Sequence, residues 1–150
     1  MSDKSYGRRS QPPINWPSCP FLRAMSLLRA FVVEDSPLIR ENLISALEEL
    51  VPLQVVGWAD DEAGALAWLD NPANGCDLVI VDLFLRSGSG TGILRELQVR
   101  GSTVERVVLT NYAAPDIARR CLQSGASRVF DKSHDIDALI AHCAALRPAT

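Results

Sequence analysis

Short, mainly apolar runs alternate along most of the chain with stretches in which apolar residues return every three or four positions. The runs at 27–33, 53–58, 77–83, 106–109 and 127–130 read as strands. The run at 27–33, interrupted once by Arg29, has the near-continuous apolar character expected of a strand buried on both faces. Between them lie helical patterns. Ser36-Pro37 offers an N-cap followed by proline at the first helical position. Leu38, Ile39, Leu43, Ile44, Ala46, Leu47 and Leu50 then recur at helical spacing until Pro52 stops the helix. Asp60 or Asp61 can cap a second helix through Leu69. The glycine-rich stretch 87–92 leads into a third over 93–100, ended by Gly101. A fourth over 115–124 stops at Gly125, and a fifth covers 135–146. Five strands, each followed by a helix, predict an α/β domain with a parallel sheet covered by helices on both faces. Polar chemistry in such a sheet collects in the crevice beyond the carboxyl ends of the strands.

Residues 1–26 break the pattern. They are rich in proline, serine and charge, and read as a flexible N-terminal tail. Met25 stands just before the first strand and is an alternative translation start. The 150 residues carry a net charge of -3, but Lys4, Arg8, Arg9 and Arg23 leave the tail three charges positive and the remainder six negative. An acidic body lacks the basic stripe that nucleic acid demands, so DNA is not expected among the partners. Arg8-Arg9 is followed by Pro12, Pro13, Pro17 and Pro20 instead of the apolar run of an export signal. The longest apolar stretch, 25–33, is interrupted by Arg29 and too short to span a bilayer. A cytoplasmic protein with no membrane partner is expected. Cys19, Cys76, Cys121 and Cys143 form no CxxC pair and read as reduced small side chains.

The strand ends supply the candidate chemistry. The first strand runs into Glu34-Asp35, the third into Asp82 and the fourth into Thr110, while the fifth reaches Lys132. Three carboxylates placed together repel one another unless a cation neutralises them. A hard divalent ion with oxygen ligands answers that need, and Mg2+ also binds phosphate. Glu34, Asp35, Asp82 and the backbone carbonyl of Phe84 are the expected metal ligands. Asp82 then stays ionised as a nucleophile toward a phosphoryl group. Lys132 offsets charge on the phosphoryl oxygens, and Thr110 donates a hydrogen bond to one of them.

Glu34-Asp35 after an apolar strand, Asp82 in DLVIVDLFLRSGSG, Thr110 in VVLTNY and Lys132 in GASRVFDKS together resemble the receiver domain of bacterial response regulators. Gly90, eight residues after Asp82, also matches a glycine usual in that loop. The resemblance spans 27–147, leaving 1–26 and 148–150 outside as tails. It implies a flavodoxin-like (βα)5 doubly wound five-stranded sheet of order 2-1-3-4-5. It also implies a histidine kinase or phosphotransfer protein as phosphoryl donor, and a switch in which Thr110 moves toward the acyl phosphate while an aromatic ring on the fifth strand turns inward.

Three positions depart from that pattern. Val129 occupies the place of the switch aromatic, with Phe130 one residue later and facing the core by strand alternation. Ser133 follows the lysine where proline is common, so the turn there must be built differently. Arg86 replaces a proline common four residues after the phosphoacceptor and reads as a solvated loop residue. Phe84 and Tyr112 flank the site as rings able to shield an acyl phosphate from water. His134 and His142 lack ligand partners; Trp58 and Trp68 suit the sheet–helix boundary, and Trp16 has no core to join.

With nothing after Thr150, the sequence reads as a single-domain regulator that signals by protein contact or relays its phosphoryl group. Its only chemistry would be on itself, so it is not expected to be an enzyme. Two alternatives stand beside this: a receiver-like scaffold that acts as a homodimer without phosphorylation, and an aspartate-nucleophile phosphatase. The second would need another aspartate where Phe84 stands.

Overall fold

The computed structural model describes residues 6–7, 27–111 and 113–148. The strands are β1 (Leu28–Val33), β2 (Leu53–Ala59), β3 (Leu78–Val81), β4 (Glu105–Thr110) and β5 (Arg128–Asp131). The helices are α1 (Pro37–Leu50), α2 (Glu62–Asp70), α3 (Gly90–Val99), α4 (Pro115–Gln123) and α5 (Ile136–Ala145). All five strands pair in parallel, in the order β2-β1-β3-β4-β5. This is the flavodoxin-like order expected.

Strand alternation divides the core. Leu28, Ala30 and Val32 of β1, with Leu78 and Ile80 of β3, face one way onto Leu43, Ile44 and Leu47 of α1 and Leu139 and Cys143 of α5. Phe31, Val33, Val79 and Val81 face the other way, onto Ala65 and Trp68 of α2 and Ile93 and Leu97 of α3. A third cluster joins Val108 to Leu94 and to Cys121 of α4. The central strand β3 is buried at every residue, which is why it reads as an unbroken apolar run.

Most helix starts follow their caps. Ser36 Oγ accepts from the Ile39 N–H with Pro37 in the first turn, and Asp61 caps α2 by accepting from Gly64 N at 2.7 Å. The third helix differs from expectation. It begins at Gly90, not at Ile93, because Ser89 caps it and accepts from Gly92 N at 3.2 Å. The glycines there read as loop, yet tertiary contacts hold them in the first helical turn. The third strand is also shorter than its apolar run: after Val81 only the Asp82 N–H to Val33 O bond continues the ladder.

Part of the segment expected to be a tail is in the sheet. Tyr6–Gly7 pairs antiparallel with the outer edge of β2, opposite Ala59 and Trp58. Two residues carry no period, so hydrophobic patterning could not reveal this pairing. The rest of the 1–26 segment, with Trp16 and Cys19, lies outside the described residues, as do Tyr112 and residues 149–150.

Candidate functional site

The parallel register carries the ends of β1, β3, β4 and β5 to one edge of the sheet. Val33 lies beside Val81, Val81 beside Val108, and Thr110 beside Asp131. The next residues in the first, third and fifth strands are Glu34, Asp82 and Lys132. Oxygen atoms of Glu34, Asp35 and Asp82 all lie within 4.8 Å of one another. Lys132, far along the chain, places its Nζ 2.6 Å from Glu34 Oε1 and 3.1 Å from Asp82 Oδ2. Glu34, Asp82 and Thr110 are buried, while Asp35 is half-buried.

Burial is the main electrostatic influence. It pushes the Glu34 carboxyl above the usual range, and the neighbouring Asp82 charge adds to the effect. The Lys132 hydrogen bond and the Ser36 N–H, 3.1 Å from Glu34 Oε2, work in the opposite direction without cancelling it. Asp82 is likewise raised by burial first and by Asp35. Lys132 and the Phe84 N–H, 3.3 Å from Asp82 Oδ1, oppose that rise. Burial disfavours the Lys132 ammonium, but the hydrogen bonds and charges of Glu34 and Asp82 outweigh it and raise its pKa. One ammonium therefore pairs with two of the three carboxylates, and the cluster carries an excess of negative charge.

Thr110 completes the group. Its hydroxyl is buried and has no hydrogen-bond partner among the described residues. An unmatched buried hydroxyl costs about 1–3 kcal/mol; among the described residues Arg40 Nε, Trp68 Nε1 and Arg106 Nε are likewise buried without a partner. The donor set of carboxylate oxygens suits a hard divalent cation.

The three departures acquire physical explanations. Phe130 lies in the core at 2% exposure, and Val129 packs against the α4 cluster. The turn after Lys132 is built by aspartates. Asp131 Oδ1 accepts from Ser133 N at 2.7 Å, and Asp135 Oδ2 accepts from Asp131 N at 2.9 Å. Arg86 is exposed as expected, but it also reaches Asp60 Oδ2 at 3.4 Å. Phe84 is 59% exposed, and Tyr112, the other ring expected to shield the site, lies outside the described residues.

Two contributions were not legible in the sequence. Arg40, buried on α1, donates from Nη1 to the Glu34 carbonyl at 2.9 Å and lies over the Trp58 ring at 3.8 Å. In the sequence it is one charged residue within the first helical pattern, and nothing in that pattern marks its contact with the Glu34 carbonyl. Glu62, the first residue of α2, accepts from Ser89 N at 2.9 Å across 27 residues. His142, expected to be without a ligand role, contacts Glu105 Oε2 at 2.9 Å and tilts against Phe130.

A five-stranded parallel sheet with an acidic cluster, a buried threonine and a lysine at its carboxyl edge defines a receiver-type signalling domain. The family model for the response regulator receiver domain matches residues 30–144, and the chain belongs to that family. It is 32% identical over 123 residues to a "Probable transcriptional regulatory protein" of Picosynechococcus sp., covering 79% of this chain and 48% of that one. It is 30% identical over 101 residues to the DNA-binding transcriptional activator DevR/DosR of Mycobacterium tuberculosis, covering 67% of this chain and 46% of that protein. A two-component response regulator of the LuxR family from Aurantimonas sp. superposes with a TM-score of 0.71 at 25% identity, over 83% of this chain and 90% of that one.

These relatives correct one expectation. DNA was excluded from the partners on the acidic charge of the body, yet the relatives include DNA-binding regulators. The chain spans about half the length of the curated relatives it matches. Surface charge on that half carries no information about nucleic-acid contacts made by the remainder of such proteins. Among the described residues, no helix is long and apolar enough to cross a membrane.

Proposed function

We propose that this domain receives a phosphoryl group on Asp82 from a phosphohistidine of a histidine kinase or phosphotransfer protein, with Mg2+ held by Glu34, Asp35, Asp82 and the Phe84 carbonyl. The observation that carries the proposal is the double ion pair of Lys132 with Glu34 and Asp82, beside the unpartnered Thr110 hydroxyl. An Asp82 carboxylate oxygen attacks phosphorus, an O–P bond forms, and the N–P bond to the donor imidazole breaks. The leaving nitrogen departs with the bonding electron pair and is neutralised by a proton. Bound Mg2+ supplies charge neutralisation for the phosphoryl oxygens and for the gathered carboxylates. Lys132 holds Asp82 in place through its hydrogen bond and meets the negative charge brought by the phosphoryl group. Thr110 gains a phosphoryl oxygen as acceptor for its orphaned hydroxyl proton. The Phe84 N–H fixes the rotation of the Asp82 carboxylate. All of the chemistry takes place on the domain's own side chain, in a cytoplasmic setting, and its output passes to a further protein segment or partner.

Intact mass after incubation with acetyl phosphate and Mg2+ tests this reading. Wild type is expected to gain one phosphate only when Mg2+ is present, and Asp82→Asn none. Folded wild type without an adduct, or an Asp82→Asn protein with one, would overturn it.

A further inference from the structure

The loop between β3 and α3 is glycine-rich for a reason that Asp82 alone does not supply. Glu62, at the start of α2, grips this loop from outside. Its backbone N–H donates to Ser87 O at 3.2 Å, and its Oε1 accepts from Ser89 N at 2.9 Å. Ser89 in turn forms an isolated antiparallel bridge with Phe84, and the Gly90 N–H donates to Leu83 O at 3.0 Å. Phe84 is the residue whose N–H meets Asp82. A short mechanical chain thus runs from Glu62 through Ser89 to the Phe84 peptide and the Asp82 carboxylate.

The glycines record how tightly the carboxylate is seated. A Cβ on Gly92 would come within 2.3 Å of Glu62 Oε2, and one on Gly88 within 2.4 Å of Glu62 Cβ. Gly88 also has φ +81, a conformation that side chains rarely adopt. Any larger residue at Gly88 or Gly92 would displace Glu62 or the loop. Asp61 anchors the same helix end by capping it, and Arg86 ties the loop to Asp60. The first turn of α2 is therefore a rigid platform against which the phosphoacceptor loop rests.

We infer that Glu62 is a positioning residue for the phosphoacceptor site: by accepting from Ser89 N it fixes the Phe84 peptide at the spacing that Mg2+ and Asp82 require. It touches neither phosphoryl group nor metal, and it acts only through the loop. The inference rests on the reading of Asp82 as phosphoacceptor. Removing a residue that orients a metal ligand typically weakens metal binding by about 10–100-fold.

The test compares wild type, Glu62→Ala, Glu62→Gln and Ile140→Ala. The last is a control that trims a partly buried α5 residue packed on the core away from the loop. The first readout needs no metal: amide hydrogen exchange at Ser89 and Gly90 in metal-free protein. Glu62→Ala is expected to lower protection at both amides. Glu62→Gln keeps a carbonyl acceptor and is expected to retain most of it. The second readout is Mg2+ affinity by calorimetry with the metal alone. Glu62→Ala is expected to bind about tenfold more weakly, with Glu62→Gln and Ile140→Ala close to wild type. The third is adduct formation from acetyl phosphate. The Glu62→Ala defect there is expected to be large at low Mg2+ and to close as Mg2+ saturates. Unchanged protection and Mg2+ affinity in a folded Glu62→Ala would overturn the inference, as would an equal loss in Ile140→Ala. A wild type that never forms the adduct would instead overturn the Asp82 reading, while the exchange data would still report on the Glu62 grip.

Discussion

The two ends of the same sheet treat charge in opposite ways. At the amino end, charged groups meet local partners, although Arg106 Nε is buried without one. Asp77 accepts from Arg29 N at 2.9 Å and lies 3.5 Å from its guanidinium, and Glu105 meets His142. Arg106 donates to the carbonyls of Gly125 and Ser102. At the carboxyl end, three carboxylates gather around one ammonium that pairs with two of them, those two have raised pKa values, and a threonine hydroxyl stands unmatched. Both ends are made by the same strands in the same register. The amino end ties the strands to neighbouring segments, whereas the carboxyl end gathers more negative charge than its one ammonium offsets, which is the demand that the proposed cation and phosphoryl group would meet. Such local violations of good packing are where function is normally found.

Breaking the single cationic partner should separate the two ends most sharply. Lys132→Met is expected to abolish adduct formation and to cost about 3 kcal/mol of stability near neutral pH, because it leaves buried carboxylates uncompensated. The sign with pH follows from the shifts. A carboxyl whose folded pKa is raised contributes stability that is complete below its unfolded pKa and lost as pH rises through the folded one. The Lys132→Met deficit should therefore shrink on acidification, as Glu34 and Asp82 protonate. Urea denaturation at neutral and acidic pH measures this, and an equal deficit at both would show that the ammonium does not hold the carboxylates.

A steric change at the same end ranks next. A Cβ on Gly90 would sit 2.4 Å from the Asp82 backbone oxygen and 2.7 Å from Val81 Cγ1. Gly90→Ala is expected to cost about 2 kcal/mol, as overpacking against backbone does, and to slow adduct formation at Asp82. A stability within 0.5 kcal/mol of wild type, on the scale of a neutral surface change, would mean that the loop yields easily and the close approach is not a constraint.

Asp82→Asn sharpens the comparison from the other side. Removing one of the crowded charges should raise Tm at neutral pH while eliminating phosphorylation. The gain should fade as pH drops through the raised Asp82 pKa, since wild type then becomes neutral at that position too. A neutral-pH Tm below that of wild type would show that the Lys132 ion pair outweighs the burial of the charge. The smallest effect belongs to the amino end. Arg29 is 47% exposed and Asp77 4% exposed in their pair, but Asp77 keeps the residue 29 N–H as donor, so Arg29→Gln is expected to cost about 1 kcal/mol. Adduct formation should be unchanged, and any large loss of it would dissolve the division between the two ends.

Much of this molecule was legible as pattern. The five apolar runs and the helical spacing between them specify five strands and five helices, because burial on both faces or on one face leaves a periodic trace in composition. The polar residues that end the runs were legible for the same reason: a charge directly after a buried strand has only the crevice to enter. Alternation correctly sent Phe130 into the core, whereas the packing of Val129 against the α4 cluster came from the structure. Boundaries were less legible where tertiary contacts overrode local preference, as at Gly90, held helical by the Ser89 cap.

What the sequence determined by itself, then, was the set of elements, their parallel pairing and the identities of Glu34, Asp35, Asp82, Thr110 and Lys132 as strand-end groups. Only the tertiary structure decided that Lys132 divides itself between Glu34 and Asp82, that Arg40 holds the Glu34 carbonyl, and that Glu62 clasps Ser89. It also decided that Tyr6–Gly7 joins the edge of β2. These are one-to-one contacts between residues far apart in the chain or too few to repeat. Periodicity records which face a residue turns to the core, and it carries no record of which single partner that residue will meet.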